Sequence, residues 1–347
     1  MNTPETFLRN LNPELPDLDY LYHLGLTSKT DGIDEVFGDT VHVSMPGSGH
    51  RAFRFAKELV AANGGRFRSL GKEPNRDVDV MEKINEEYEA IRAGKKELLE
   101  VSADIQDAIA ESLGLPRVVG KDERYWTFVA ETPAGGVVSV NHHMGMPTHS
   151  ILLHEVTKLL HYAGADRDGR VFEYSRQGTS GGLGIEPGSI VVTDRGLEPS
   201  GLARYRLHVL GEERAFSTNF DPALSQKLFD CSSAVNVPVV RGSTVSCNDF
   251  YTEQGRRDGA FNLTGSEQAK LNYLKGLHAR GARNMEMEAA GFAAFTEYMG
   301  IPAACVGTAL LNRLKGDQVT STAEELAGFS DGPQRLLIEH LRRKADA

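Results

Sequence analysis

Apolar runs rich in β-branched and aromatic residues alternate along the chain with stretches of helical period. The strand-like runs are VHVSM (41–45), WTFVAET (126–132), GVVSVNHH (136–143), RVFEYSR (170–176), SIVVTD (189–194), RYRLHVL (204–210), VVRGSTVSC (239–247) and AACVGTALL (303–311). Helical signals lie between several of them. PTHSILLHEVTKLLHYAG opens with Pro147, ends at Gly164 and carries Leu152, Val156, Leu159, Leu160 and Ala163 as one apolar stripe. SEQAKLNYLKGLHARG is bounded by Ser266 and Gly281, a capping residue at each end. The stretch from Thr322 to Lys344 also has helical period. This alternation predicts one α/β domain on a mixed sheet, spanning residues 1–347. The segment over 72–114 breaks the pattern: it is strongly charged, has no β-run and keeps apolar residues at helical spacing. It reads as one or two helices inserted at the surface and packed on the parent domain or across an interface between subunits, near the loop holding Arg124.

Composition narrows the partners. The 347 residues are 40% hydrophobic and 25% charged, with a formal net charge of -10. That is ordinary globular composition, and an acidic balance argues against nucleic acid as the main partner. The three cysteines, Cys231, Cys247 and Cys305, form no CxxC pair, so reduced buried thiols are expected. The N-terminal stretch has no apolar signal core, and no window reaches the ~20 apolar residues of a bilayer span. The expectation is a cytoplasmic protein without a membrane partner.

Candidate chemistry sits beside glycines. RQGTSGG (176–182) follows a strand, and a glycine-rich turn there would expose N–H groups to an anion, with Arg176 and Thr179 adding donors. A plain tight turn explains the same residues. PGSGHR (46–51) also follows a strand and opens a helix, with Gly47 and Arg51 placed for an anion, but it lacks the Walker lysine and the GxGxxG spacing. Arg124, in KDERYW, reads locally as a surface residue. In DFYTEQGRRDG, Gln254 and Arg256 could pair with an imide edge, or be loop polarity alone. In RNMEMEAAGFAAF, Glu286 and Glu288 flank Met287 before an apolar helical run. They are either first-turn carboxylates favoured by the helix dipole or acceptors for sugar hydroxyls. His142 and His143 are adjacent, which on a strand would not face one site, and His149 and His154 miss the i, i+4 spacing of a metal pair. No metal site is expected.

The order of these pieces carries more than any one of them. PGSGHR, ERY, SVNHHMGMPTHSILLHE, RQGTSGGLGIEPGSIVVT, DFYTEQGRRDG, NMEMEAAGFAAF and GTALLNRLKGDQ together resemble the nucleoside phosphorylase family, in its eukaryotic uridine phosphorylase form. The likeness runs from about Tyr20 to Arg342, interrupted at 72–114. The resemblance implies a three-layer α/β/α fold with a central mixed sheet, and cleavage of uridine by inorganic phosphate to uracil and ribose 1-phosphate, without cofactor. It implies a phosphate site of Gly47, Arg51, Arg124, Arg176 and Thr179. The nucleobase would meet Phe250, Gln254 and Arg256, and the ribose His23, Ser180, Gly181, Glu286, Met287 and Glu288. Arg51, Arg176, Gln254 and Arg256 would carry the catalysis. His23 and Arg124 would come from a neighbouring subunit, which implies a homo-oligomer, in the similar eukaryotic enzymes a dimer. Gln177, Gly49, His50 and His143 depart from the family pattern. A purine or broad-specificity phosphorylase and a catalytically silent storage or sensing relative are the alternatives.

Overall fold

The computed structural model describes residues 6–70, 86–101, 106, 109–110, 113–119 and 124–346. In chain order the first elements are β1 (Tyr20–Leu21), β2 (Leu26–Thr27), α1 (Ile33–Phe37), β3 (Thr40–Pro46), α2 (Gly49–Asn63), β4 (Arg66–Arg68), β5 (Thr127–Thr132) and β6 (Gly135–Val140). There follow α3 (Met146–Tyr162), β7 (Glu173–Gly182), β8 (Ile190–Leu197), β9 (Tyr205–Val209), β10 (Glu212–Phe216), α4 (Pro222–Phe229) and β11 (Val239–Ser246). The last are α5 (Glu267–Ala279), β12 (Ala282–Glu286), α6 (Ala289–Met299), β13 (Ala303–Asn312) and α7 (Ala323–Ala345).

Near-continuous apolar runs such as β3 are buried on both faces, as parallel central strands are. They build a nine-stranded mixed sheet in the order β12-β11-β8-β13-β7-β3-β6-β5-β4. The helices α1, α3 and α6 cover one face over a core that includes Leu152, Leu159, Phe172 and Phe292. The helices α2, α4 and α7 cover the other over Phe55, Leu59, Leu228 and Leu337. This is the expected three-layer α/β/α architecture.

One end of the sheet closes on itself. β12 also pairs with β7, antiparallel, through Asn284↔Gly182 and Met285↔Gly181. Five strands therefore form a ring, and a polar chain threads its interior. Thr193 bonds Thr244 at 2.7 Å, Thr244 donates to Asn284 Oδ1 at 2.7 Å, and Asn284 donates to Ser180 Oγ at 3.0 Å. Ser180 donates in turn to the Thr308 carbonyl at 3.2 Å, so every strand of the ring contributes. Buried polar groups are tolerable when each has a partner, and such a chain fixes the register of all five strands.

Two expectations need correction. RQGTSGG is no turn: it is the second half of β7, which runs ten residues to Gly182. Glycine serves close approach there, because a Cβ on Gly181 would lie 2.6 Å from Arg313 Cδ and one on Gly178 would lie 2.9 Å from the Arg176 guanidinium. Glu286 does not begin a helix: it ends β12, and Glu288 stands at the N-cap of α6. The Ser266 cap and the Thr322 start fall where expected, each side chain accepting a backbone N–H.

Of the segment at 72–114, residues 72–85, 102–105, 107–108 and 111–112 lie outside the described residues. Its described part is helical over 86–92, and Leu98, Val101 and Ile109 are buried in a small cluster that includes Phe53 of α2. It also reaches His50, whose Nδ1 lies 3.2 Å from Glu97. All three cysteines are free and buried. Among the described residues no helix is long and apolar enough to cross a membrane.

Candidate active site

The end of β3, the start of α2, the middle of β7, the end of β12 and the loop after β11 surround a cavity of about 530 Å³. That is a volume suited to a small molecule of nucleoside size. Twelve of the fourteen residues named from the sequence line it: Gly47, Arg51, Arg176, Thr179, Ser180, Gly181, Phe250, Gln254, Arg256, Glu286, Met287 and Glu288. Arg124 and His23 do not.

One wall is cationic. Ser48 caps α2 by accepting the Arg51 N–H, which sets Arg51 in the first turn facing the cavity. A Cβ on Gly49 would lie 2.3 Å from the Trp126 ring, so glycine lets the helix start against that indole. The Arg51 guanidinium donates to Ser330 Oγ at 3.1 Å. Burial, and the nearby Arg54 and Arg176 cations, push its pKa below the ordinary value despite Asp331. An anion bound beside it would relieve that cost.

Arg176, only 3% exposed, stands at the centre. Its Nη1 lies 2.8 Å from Glu286 Oε2, and its Nη2 pairs closely with Glu288. The fork read as a phosphate clamp thus also ties the two glutamates. Glu286 is itself the acceptor at the start of α6, taking the N–H groups of Glu288 and Ala289 at 2.9 Å each. Both readings of that carboxylate therefore hold in part: it caps the helix and lines the cavity. Burial, with Glu288 beside it, raises the Glu286 pKa, the Arg176 charge opposing. Burial acts on Glu288 too, but Arg176 and the Gly145 N–H outweigh it and hold Glu288 lower. A buried arginine between two carboxylates keeps at least one of them anionic.

The opposite wall can read an imide. Gln254 is 2% and Arg256 8% exposed. The Arg256 guanidinium carbon sits 4.2 Å from the Phe250 ring centroid, a cation–π contact that positions the side chain in the wall. The Nε atoms of Arg176 and Arg256 are buried with no acceptor among the described residues. Behind this wall lies support that sequence reasoning did not single out, although LLNRLKGDQ contains it at i, i+4 spacing. Arg313, wholly buried, donates to the Gln254 carbonyl at 2.7 Å and to Asp317 Oδ1 at 2.9 Å. Asp317 also holds Lys270 Nζ of α5 at 2.6 Å, and its carbonyl accepts from Arg256 at 3.4 Å. Gln254 and Arg256 are thus fixed through Asp317.

His142 and His143 both line the cavity, contrary to the strand argument. They follow β6 instead of lying on it, and His143, exposed at the cavity's edge, adopts a left-handed φ of 61°. His142 stacks on His149 with ring centroids 4.6 Å apart. Burial, then neighbouring positive charge, holds both well below the usual histidine pKa, so they are neutral. Gln177 lies buried away from the cavity, donating to Ser44 of β3. Among the described residues only His42, Glu173 and His340 have metal-ligand spacing. Lys344 Nζ already lies 3.1 Å from the Glu173 oxygen that the two imidazoles share, so a cation occupies that position.

His23 and Arg124 lie together just outside the cavity's lining, where the ring of the cavity residue His143 reaches the Arg124 carbonyl and sits 5.4 Å from the Tyr125 ring. Glu155 of α3 holds His23, with Nδ1 2.7 Å from Oε1 and the His23 N–H on Oε2 at 2.9 Å. The Arg124 guanidinium lies 5.9 Å from the exposed Tyr22 ring, and Tyr125 is 6.3 Å from the His23 ring.

The model of the phosphorylase superfamily matches residues 105–332. Uridine phosphorylase 1 of Mus musculus is 33% identical over 342 residues, 98% of this chain and 93% of that protein. A solved uridine phosphorylase of Schistosoma mansoni in complex with thymidine superimposes with a TM-score of 0.76 at 30% identity, covering 96% of this chain and 98% of that one. An inactive uridine phosphorylase B of Schistosoma mansoni is 30% identical over 94% of this chain and 93% of its own. The chain belongs to the phosphorylase superfamily and, within it, to the uridine phosphorylase family.

Proposed function

We propose that this chain cleaves uridine with inorganic phosphate, releasing uracil and ribose 1-phosphate, with neither metal nor organic cofactor. The observation that carries the reading is one cavity whose walls supply arginines, two buried glutamates, and a Gln254–Arg256 pair stacked on Phe250. Phosphate held by Gly47, Arg51, Arg176 and Thr179 faces the sugar C1′. A phosphate oxygen forms the new bond to C1′ as the C1′–N1 bond breaks, and the electron pair leaves with uracil. Glu288 and the Met287 backbone orient the ribose, with Glu286 holding the strand end and Ser180 and Gly181 forming the floor. Charge developing on the uracil carbonyls is met by the Arg256 fork and the Gln254 amide. The catalysis is therefore positioning and preorganised electrostatics.

An inactive relative of similar identity means that kinship alone does not decide activity. The arginines of this cavity favour a working enzyme over a silent binder, and the Gln254–Arg256 pair favours a pyrimidine over a purine base. His23 and Arg124 share a surface outside their own chain's cavity, which supports a homodimer in which each subunit completes the other's site. The reading places the enzyme in cytoplasmic pyrimidine salvage. Phosphate-dependent release of free base should be measured with uridine, thymidine, deoxyuridine, cytidine and inosine. Cytidine lacks N3–H and carries an amine where uridine has O4, so its rate should be lower by ~10⁴-fold. No phosphate-dependent release from any of them would support the silent relative, and faster release from inosine the purine reading.

A further inference from the structure

A second concavity, of about 540 Å³, lies on the outer side of the closed strand ring and shares no lining residue with the active site. Four arginines line it: Arg195 from β8, Arg241 from β11, Arg280 following α5, and Arg283 from β12. Asp194 is the acidic residue among its lining groups, and it pairs with Arg241. In a chain of net charge -10, four guanidiniums around one hollow are a pronounced local reversal of sign.

The way they are held matters more than their number. Arg280 donates to the carbonyls of Gly276 at 3.2 Å and Ser200 at 3.1 Å. Arg283 donates to the carbonyls of His278 at 3.3 Å and Ala282 at 2.9 Å. These neutral acceptors fix the side chains and leave the charge uncompensated. No carboxylate among the described residues pairs with Arg195, Arg280 or Arg283. Glycine makes the packing possible: a Cβ on Gly201 would lie 2.7 Å from the Arg280 guanidinium, and one on Gly242 would lie 2.4 Å from Arg283 Cγ. Preorganised forks with free donors are the chemistry that recognises phosphate oxygens, and several forks in one concavity suit several phosphates.

We propose that this hollow binds a small phosphorylated molecule carrying two or more linked phosphates, at a site separate from the catalytic cavity. Arg283 precedes Asn284 in the strand that ends at Glu286, so the ligand would sit on a strand whose last residue lines the catalytic cavity. The inference does not depend on the reaction assigned to the catalytic cavity.

The test uses sodium tripolyphosphate as probe, titrated calorimetrically into the full chain, with inorganic phosphate as comparison. In the Arg176→Ala chain, whose catalytic phosphate site is disabled, one site per chain is expected, with phosphate binding there at least about tenfold more weakly. Arg195→Ala combined with Arg280→Ala should weaken the probe by at least about tenfold while leaving phosphorolysis without probe unchanged. Arg176→Ala should keep the probe site. The Arg195→Ala single variant, both positions being exposed, guards against a folding defect in the pair. Probe binding unaffected by these changes, or abolished by Arg176→Ala, would overturn the proposal. So would equal affinity for phosphate, or a change of oligomeric mass in the arginine variants, which would mark the hollow as a contact between copies.

Discussion

Arg176 is the residue on which most of the site converges. It is buried, spans Glu286 and Glu288, and lines the cavity together with Arg51. Its removal strips donors from the nucleophile's side and leaves two carboxylates facing each other without a cation. Arg176→Ala should therefore cost about 3 kcal/mol of transition-state stabilisation, the scale of losing one preorganised donor. Steady-state kcat/KM reads this, and a value within threefold of the parent would take Arg176 out of the chemistry. Asp317 touches neither sugar nor phosphate in this reading but holds Arg313 and Lys270, and through them Gln254. Asp317→Asn keeps the shape and loses the charge. KM for uridine should rise about tenfold, the ~1.5 kcal/mol of a charge-assisted hydrogen bond, with KM for phosphate unchanged. A parallel rise in both constants would mean general loosening and no special part for Asp317.

At the scale of elements, the strands and helices with clear period were legible: β3, β5, β8, β11 and β13, and the helices α3, α5 and α7, begin and end near their apolar runs. What the sequence hid has physical causes. Glycine normally breaks strands, so the second half of β7 looked like a turn, while its glycines in fact admit Arg176 and Arg313. β12 is five residues long and runs straight into the α6 cap, so its glutamates looked helical. The histidines of the β6–α3 connection could not be located by spacing, because their stacking depends on a left-handed turn at His143. Their burial has a measurable consequence. The folded pKa values of His142 and His149 lie well below the ordinary 6.5. As pH falls through that value the unfolded chain takes protons that the folded chain refuses, so folding stability is complete above it and declines below it. The slope should reach ~1.4 kcal/mol per pH unit for each histidine. Urea midpoints between about pH 7 and about pH 5 read this together with His42 and His154, which burial also lowers, and against Glu286, raised to about 7, so the difference between parent and variant isolates the stacked pair. His149→Phe, in the stack between His142 and Phe292, should flatten the decline, and an unchanged slope would mean that these imidazoles take protons without cost.

For the whole molecule the decisive fact is that two of the expected residues stand beside the cavity and not in its lining. The cavity collects twelve of the expected residues from one chain, while His23 and Arg124 lie together around Tyr22 and Tyr125, outside that cavity. In a two-fold dimer an isologous contact brings the same patch of each subunit to the other. If that contact carries His23 and Arg124 into the partner's cavity, a chain with both replaced by alanine keeps a complete cavity but cannot serve its partner. An Arg176→Ala chain has the opposite defect. Each is inactive alone. In a mixed dimer the first chain's cavity receives intact groups from the second, and one site of two is whole. Random exchange of equal amounts makes half the dimers mixed, so about a quarter of the parent's sites, and of its activity, should return. Subunit exchange is followed by a size tag on one chain and phosphorolysis by uracil release. Proven exchange with no return of activity would place all of these groups in one subunit's own site, and the cluster at Tyr22 would then be packing alone.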